Sequence, residues 1–149
     1  IYFFSSSFGA YINLLFLNKH PEIKTKSFLR SAAVSFPDLI LQNATKAQED
    51  EIAKTGFCLL DYEYVRPIRV YPKFLEELKI FDVFKIKEFK NAEIKMIHGT
   101  KDEVAPFEKA KAFAEKYGAK LVPVLGGMHR LMESDQVKTV LKEAIEFYK

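Results

Sequence analysis

The chain has 149 residues, 48% of them hydrophobic and 29% charged, with a formal net charge of +3. That is enough chain for one domain with a real core, and so small a charge gives no reason to invoke nucleic acid or an anionic membrane surface. The single cysteine, Cys58, cannot close an internal disulfide, which fits a reducing, cytoplasmic setting. The longest apolar run, residues 10–17, is too short to cross a bilayer and is interrupted by Asn13. No initiator methionine is present, so a processed product or part of a longer protein is expected, and any N-terminal targeting signal would lie outside it.

Residues 1–4 are all β-branched or aromatic, which predicts a strand buried on both faces of a parallel sheet. Three serines follow, and residues 8–17 predict a helix that is apolar almost all round and therefore buried. Residues 26–34 are the next strand candidate, broken by Phe36-Pro37-Asp38. From residue 38 to about 90 the pattern changes. A polar helix is expected over 44–54, a hairpin or irregular extended pieces over 56–70, and a helix over 73–80. This stretch is too long for a simple connection, so 38–90 is predicted to be a cap insertion over the site. Cys58 falls within it and is expected to be a small apolar filler.

The regular pattern resumes with a strand over 93–97 and a helix over 106–117, with Pro106 at its start and Gly118 past its end. Residues 120–125 predict another strand, which Pro123 places at a sheet edge. The final helix, 135–148, is expected to bury Val137, Val140, Leu141, Ala144, Ile145 and Tyr148. Strands and helices in this alternation mean an α/β fold with a parallel sheet and a core made of 1–37 and 91–149.

Three turns carry candidate chemistry. In Ser5-Ser6-Ser7-Phe8-Gly9, Ser7 lies between a strand and a helix, with small residues two before and two after it. Such a turn can hold a serine oxygen clear of the sheet, and the Phe8 N–H would stand at the helix N-terminus, ready for a developing oxyanion. A serine there can equally be an ordinary N-cap. In His98-Gly99-Thr100-Lys101-Asp102, Asp102 follows a strand, where a carboxylate can orient an imidazole. It can also simply tighten the turn before Pro106; Glu103 is the alternative acid. Gly126-Gly127-Met128-His129 puts His129 on a loop after the last strand, as a general base requires. His98 is read as a residue bonding its own turn, and His20, before Pro21, is given no role. The three histidines show no metal-ligand spacing, so neither a metal nor another cofactor is expected.

With these residues in the order serine, aspartate, histidine, the chain resembles the α/β-hydrolase superfamily. The segment Ile97-His98-Gly99-Thr100-Lys101-Asp102-Glu103-Val104-Ala105-Pro106 carries the most specific likeness, beside 5–9 and Gly127-Met128-His129-Arg130-Leu131. The resemblance looks closest to capped carboxylesterases, including feruloyl-esterase-like and acylglycerol-lipase-like members. It implies Ser7 as nucleophile, Asp102 as acid, His129 as base and Phe8 as one oxyanion-hole donor. It also implies that the chain corresponds to strands five to eight, half of that family's sheet, with Ser5 where the first elbow glycine usually stands.

The activity so implied is hydrolysis of a small-molecule carboxylic ester through an acyl-enzyme. Thioesterase, peptidase or acyltransferase chemistry on the same residues, or a catalytically silent, self-associating fragment, are the alternatives. Phe57, Tyr62, Tyr64, Tyr71 and Phe74 suggest an apolar or aromatic substrate group, or else form the cap's own core. The strand 1–4 would present an apolar edge, expected to pair with a second copy or with a missing N-terminal half.

Overall fold

The computed structural model describes residues 1–42, 45–60 and 67–149. They form two compact units, Ile1–Phe36 with Val83–Lys149, and Pro37–Asp82. The first unit is built on a four-stranded sheet of β1 (Tyr2–Ser6), β2 (Thr25–Arg30), β5 (Ala92–Gly99) and β6 (Lys120–Val124), in the order β1-β2-β5-β6. Every pairing in it is parallel, with Ser6 beside Arg30, Arg30 beside Ile97, and Gly99 beside Val124. All four strands therefore end on the same side of the sheet.

Helices cover both faces. On one, α1 (Phe8–Lys19) and α5 (Phe107–Tyr117) bury Ala10, Leu14, Leu17, Ala110 and Phe113 against Leu29, Ile94 and Met96. On the other, α6 (Ser134–Tyr148) buries Val140, Ala144 and Phe147 against Phe28 and Ile97. Both sets follow the three-to-four residue repeat of a helix face. Gly118, left-handed at φ 66°, ends α5 where the sequence places its stop.

Four expectations are corrected. β1 is not buried on both faces: it is an outer strand, and Tyr2 and Phe4 are 65% and 51% exposed. Their rings stack on Tyr148 and Phe28. α1 is not buried all round, since Phe8 and Ile12 lie exposed. In α6, Leu141 and Ile145 are exposed and Phe147 takes a core position, because Val140, Ala144 and Phe147 share one stripe and their neighbours are turned roughly 100° away. The strand expected over 26–34 ends at Arg30, and Phe36-Pro37-Asp38, beyond it, opens α2 (Phe36–Gln42); proline suits a first helical turn.

The second unit holds α3 (Lys46–Thr55), an antiparallel pair β3 (Cys58–Leu60) and β4 (Ile68–Val70), and α4 (Pro72–Ile80). Thr45 closes a capping box with Gln48 at the start of α3. Pro37, Cys58, Val70 and Leu78 are its buried apolar residues among those described. Burial, and then the charge of Glu51, pushes the Cys58 thiol up, so little thiolate forms. The Phe57 and Tyr71 rings pack at 5.8 Å, with the Arg69 guanidinium 4.9 Å from the Phe57 ring. Tyr62 and Tyr64 lie outside the described residues. The insertion expected over 38–90 ends earlier than that: Val83 and Ile86 are buried in the core of the first unit, and Tyr117 Oη–H donates to both of their carbonyls.

Candidate active site

Three turns at the carboxyl ends of β1, β5 and β6 bring Ser7, Asp102 and His129 together. Ser7 begins α1 with φ 51° and ψ −124° and makes no side-chain cap bond. Positive φ costs a non-glycine residue about 1–3 kcal/mol, and here the surroundings enforce it. The Ser7 N–H donates to Arg30 O at 3.0 Å, and its carbonyl accepts from the N–H groups of Ala10 and Ala33. Held this way, the side chain turns off the helix, and Ser7 Oγ lies 2.9 Å from His129 Nε2.

On its other side, His129 Nδ1 lies 3.0 and 2.9 Å from Asp102 Oδ1 and Oδ2. An ionised carboxylate only accepts, so Nδ1 carries the hydrogen, and Nε2 is left to accept from the serine hydroxyl. Asp102 Oδ1 also accepts from the N–H groups of Val104 and Ala105, at 2.9 and 2.7 Å. Asp102 thus both tightens its own turn and faces the imidazole. Burial alone would push its carboxyl up. The donors His129, His98, Ala105 and Val104 outweigh that and hold it well below the usual carboxylate range. Glu103, the alternative acid, does not face the ring; it accepts the backbone N–H of His129 at 3.2 Å.

The two turns that carry Asp102 and His129 are fastened to each other. Thr100 N–H donates to Val124 O at 3.0 Å, Lys101 N–H to Gly127 O at 2.9 Å, and Gly126 N–H to Thr100 Oγ1 at 2.9 Å. Gly99 is required there, since a Cβ would stand 2.2 Å from Gly127 O. Gly126 takes a left-handed φ of 70°. A Cβ on Gly127 would meet a Leu131 methyl at 2.6 Å. Gly9 differs: beyond its own helix turn and chain neighbours, a Cβ there would meet nothing within 4 Å. The expected steric need for a small residue two after the serine is therefore not found among the described residues.

Ser5 has a partner of its own. Asn13 Nδ2–H donates to Ser5 Oγ at 2.8 Å, and Ser27 Oγ–H donates to Asn13 Oδ1 at 3.3 Å. Asn13 is the polar residue that interrupts the apolar helix, and it ties α1 to β1 and β2. Arg30 Nε–H likewise donates to Ser6 Oγ at 3.0 Å. The sequence shows neither link, because each needs the register of two strands. Phe8, next after the serine, has no helical carbonyl four residues before it, so its N–H stays clear of the helix bonding pattern. His20 lies apart from this site, beside Glu22.

Solved structures with this arrangement of strands and helices are numerous. A protein provisionally described as a hydrolase from Agrobacterium vitis S4 matches with a TM-score of 0.81 at 18% identity, covering 99% of this chain and 61% of its own. Est1E from Butyrivibrio proteoclasticus, in a structure with ferulic acid bound, matches at 0.74 and 19% identity, covering 99% and 59%. Alpha/beta hydrolase domain-containing protein 10 from mouse matches at 0.67 and 18%, covering 99% and 62%. The chain carries part of the α/β-hydrolase fold. It spans about three-fifths of the length of these α/β-hydrolase structures. No family model matches the chain, and no curated protein matches it in sequence. No helix among the described residues is long and apolar enough to cross a membrane.

Proposed function

We propose that this chain bears the catalytic residues of a serine hydrolase that cleaves carboxylic esters through an acyl-enzyme. The observation that supports it is the hydrogen-bonded line from Ser7 Oγ through His129 to Asp102, with each link near 3 Å. Ser7 Oγ attacks the ester carbonyl as its proton passes to His129 Nε2. The Asp102 carboxylate stabilises the imidazolium so formed. The Phe8 N–H, at the positive end of α1, donates to the oxygen that gains charge. Collapse of the tetrahedral adduct breaks the ester C–O bond, and His129 returns the proton to the departing alcohol. A water molecule then gives a proton to His129 as it attacks the acyl carbon, and His129 passes that proton to Ser7 Oγ as the acyl–serine C–O bond breaks. In this reading residues 37–82 are the cap insertion.

A fluorophosphonate probe, with the modified residue found by mass spectrometry, tests the reading. Labelling at Ser7 that disappears in Ser7→Ala is expected, and an unlabelled chain speaks for the catalytically silent alternative. A panel of ester, thioester and amide substrates then separates esterase from thioesterase, peptidase and acyltransferase chemistry.

The free edge of β1 supports a second proposal, that the chain pairs with a copy of itself along that strand. Ile1, Tyr2 and Phe4 are all more than half exposed there, and open apolar edges recruit strands. Light scattering should show a dimer that Phe4→Lys disperses, and a monodisperse monomer overturns this proposal.

A further inference from the structure

We propose that His98 is a positioning residue for the acid–base pair: a neutral imidazole protonated at Nε2 that donates to Asp102 and fixes how its carboxylate meets His129. The catalytic sense of this rests on the hydrolase reading; the geometry does not. His98 is fully buried at the end of β5. Its Nε2 lies 2.8 Å from Ala105 O and 3.0 Å from Asp102 Oδ2. A backbone carbonyl and a carboxylate both accept, so the hydrogen must be on Nε2. Its Nδ1 is buried with no hydrogen-bond partner among the described residues. A second proton, on Nδ1, would find no acceptor among the described residues, so the ring holds one proton. The Phe107 ring stands edge-on to it, with centroids 6.1 Å apart, and keeps the imidazole in place.

What this does for Asp102 follows from how its oxygens are shared. Oδ1 is fixed by the Val104 and Ala105 N–H groups. Oδ2 lies 3.0 Å from His98 Nε2, whose one N–H it shares with Ala105 O, and 2.9 Å from His129 Nδ1. Without His98, only the His129 imidazole would hold Oδ2, and the tilt of the carboxylate would be set through Oδ1 alone. The Ala105 carbonyl, held by the same Nε2–H, would also lose its partner in this turn.

The test uses the intact chain with 15N-labelled histidine. NMR should show His98 as the neutral Nε2–H tautomer, and finding an imidazolium or an Nδ1–H tautomer overturns the proposal. His98→Gln keeps an N–H of similar reach, whereas His98→Leu has none. The His129 Nδ1–H resonance should stay in place in the glutamine variant and shift or broaden in the leucine variant. Ser7 labelling should slow by roughly 10- to 100-fold in His98→Leu and recover to within about threefold of the parent in His98→Gln. Equal labelling rates, or a His129 resonance untouched in both, overturn it. If the parent takes no label, the hydrolase reading fails, while the tautomer and the His129 resonance still decide this proposal.

Discussion

The serine turn and the paired aspartate and histidine turns position side chains in opposite ways. At the serine turn the backbone is strained, with Ser7 at φ 51°, and there is open space around Gly9. At the turns after β5 and β6 the chain is crowded. A Cβ on Gly99 would strike the Gly127 backbone, one on Gly127 would press on a Leu131 methyl, and backbone hydrogen bonds stitch the two turns together. Strain aims one oxygen away from the helix, whereas crowding keeps a carboxylate and an imidazole at hydrogen-bond distance. Leu131, at φ 47° and 1% exposed, is the point where the crowded side is strained as well.

Ser7→Gly breaks the comparison most sharply. Glycine adopts positive φ freely, so the variant should lose all probe labelling yet gain about 1 kcal/mol in denaturant unfolding. A loss of stability would show that the turn is not strained. Asp102→Asn should lower turnover by about 10⁴, as in the serine-protease precedent where the same change leaves the imidazole in the wrong tautomer. Because the Asp102 carboxyl is held below its ordinary value near 3.8, the stability it contributes is full above that pH and is lost progressively as pH falls from there toward the lower value held in the fold. Asp102→Asn should therefore flatten the acid limb of a melting-temperature profile, and an unchanged limb would contradict the assignment.

Gly99→Ala tests the crowded side. It should destabilise the fold by about 1–3 kcal/mol, as overpacked sites do, and separate the two turns. The mildest change is Gly9→Ala, which should be neutral or add about 0.5–1 kcal/mol, because alanine suits a helix better and nothing opposes its methyl group. If both glycines respond alike to alanine in chemical unfolding, the contrast between roomy and crowded turns is wrong.

Much of the fold was legible because its signals are local. Apolar runs marked the strands, Pro106 and Gly118 bracketed α5, and Pro123 marked an outer strand, which β6 is. The errors arose where burial depends on neighbours distant in sequence. Tyr2 and Phe4 read as buried but line a free edge. Leu141 and Ile145 read as core but miss the stripe of α6 that meets the sheet.

By itself the sequence determined that Ser7, Asp102 and His129 each follow a strand at a turn with small or polar neighbours. Tertiary structure alone decided what each polar side chain touches. Ser7 and His129 are 122 residues apart and meet only because β1 and β6 lie parallel in one sheet. The same packing sends Glu103 to a backbone N–H, buries His98 beside Asp102 and gives Ser5 its partner in Asn13. Hydrogen bonds require their groups within about 3 Å, and for residues so far apart in the chain that distance depends on strand order and register rather than on local spacing.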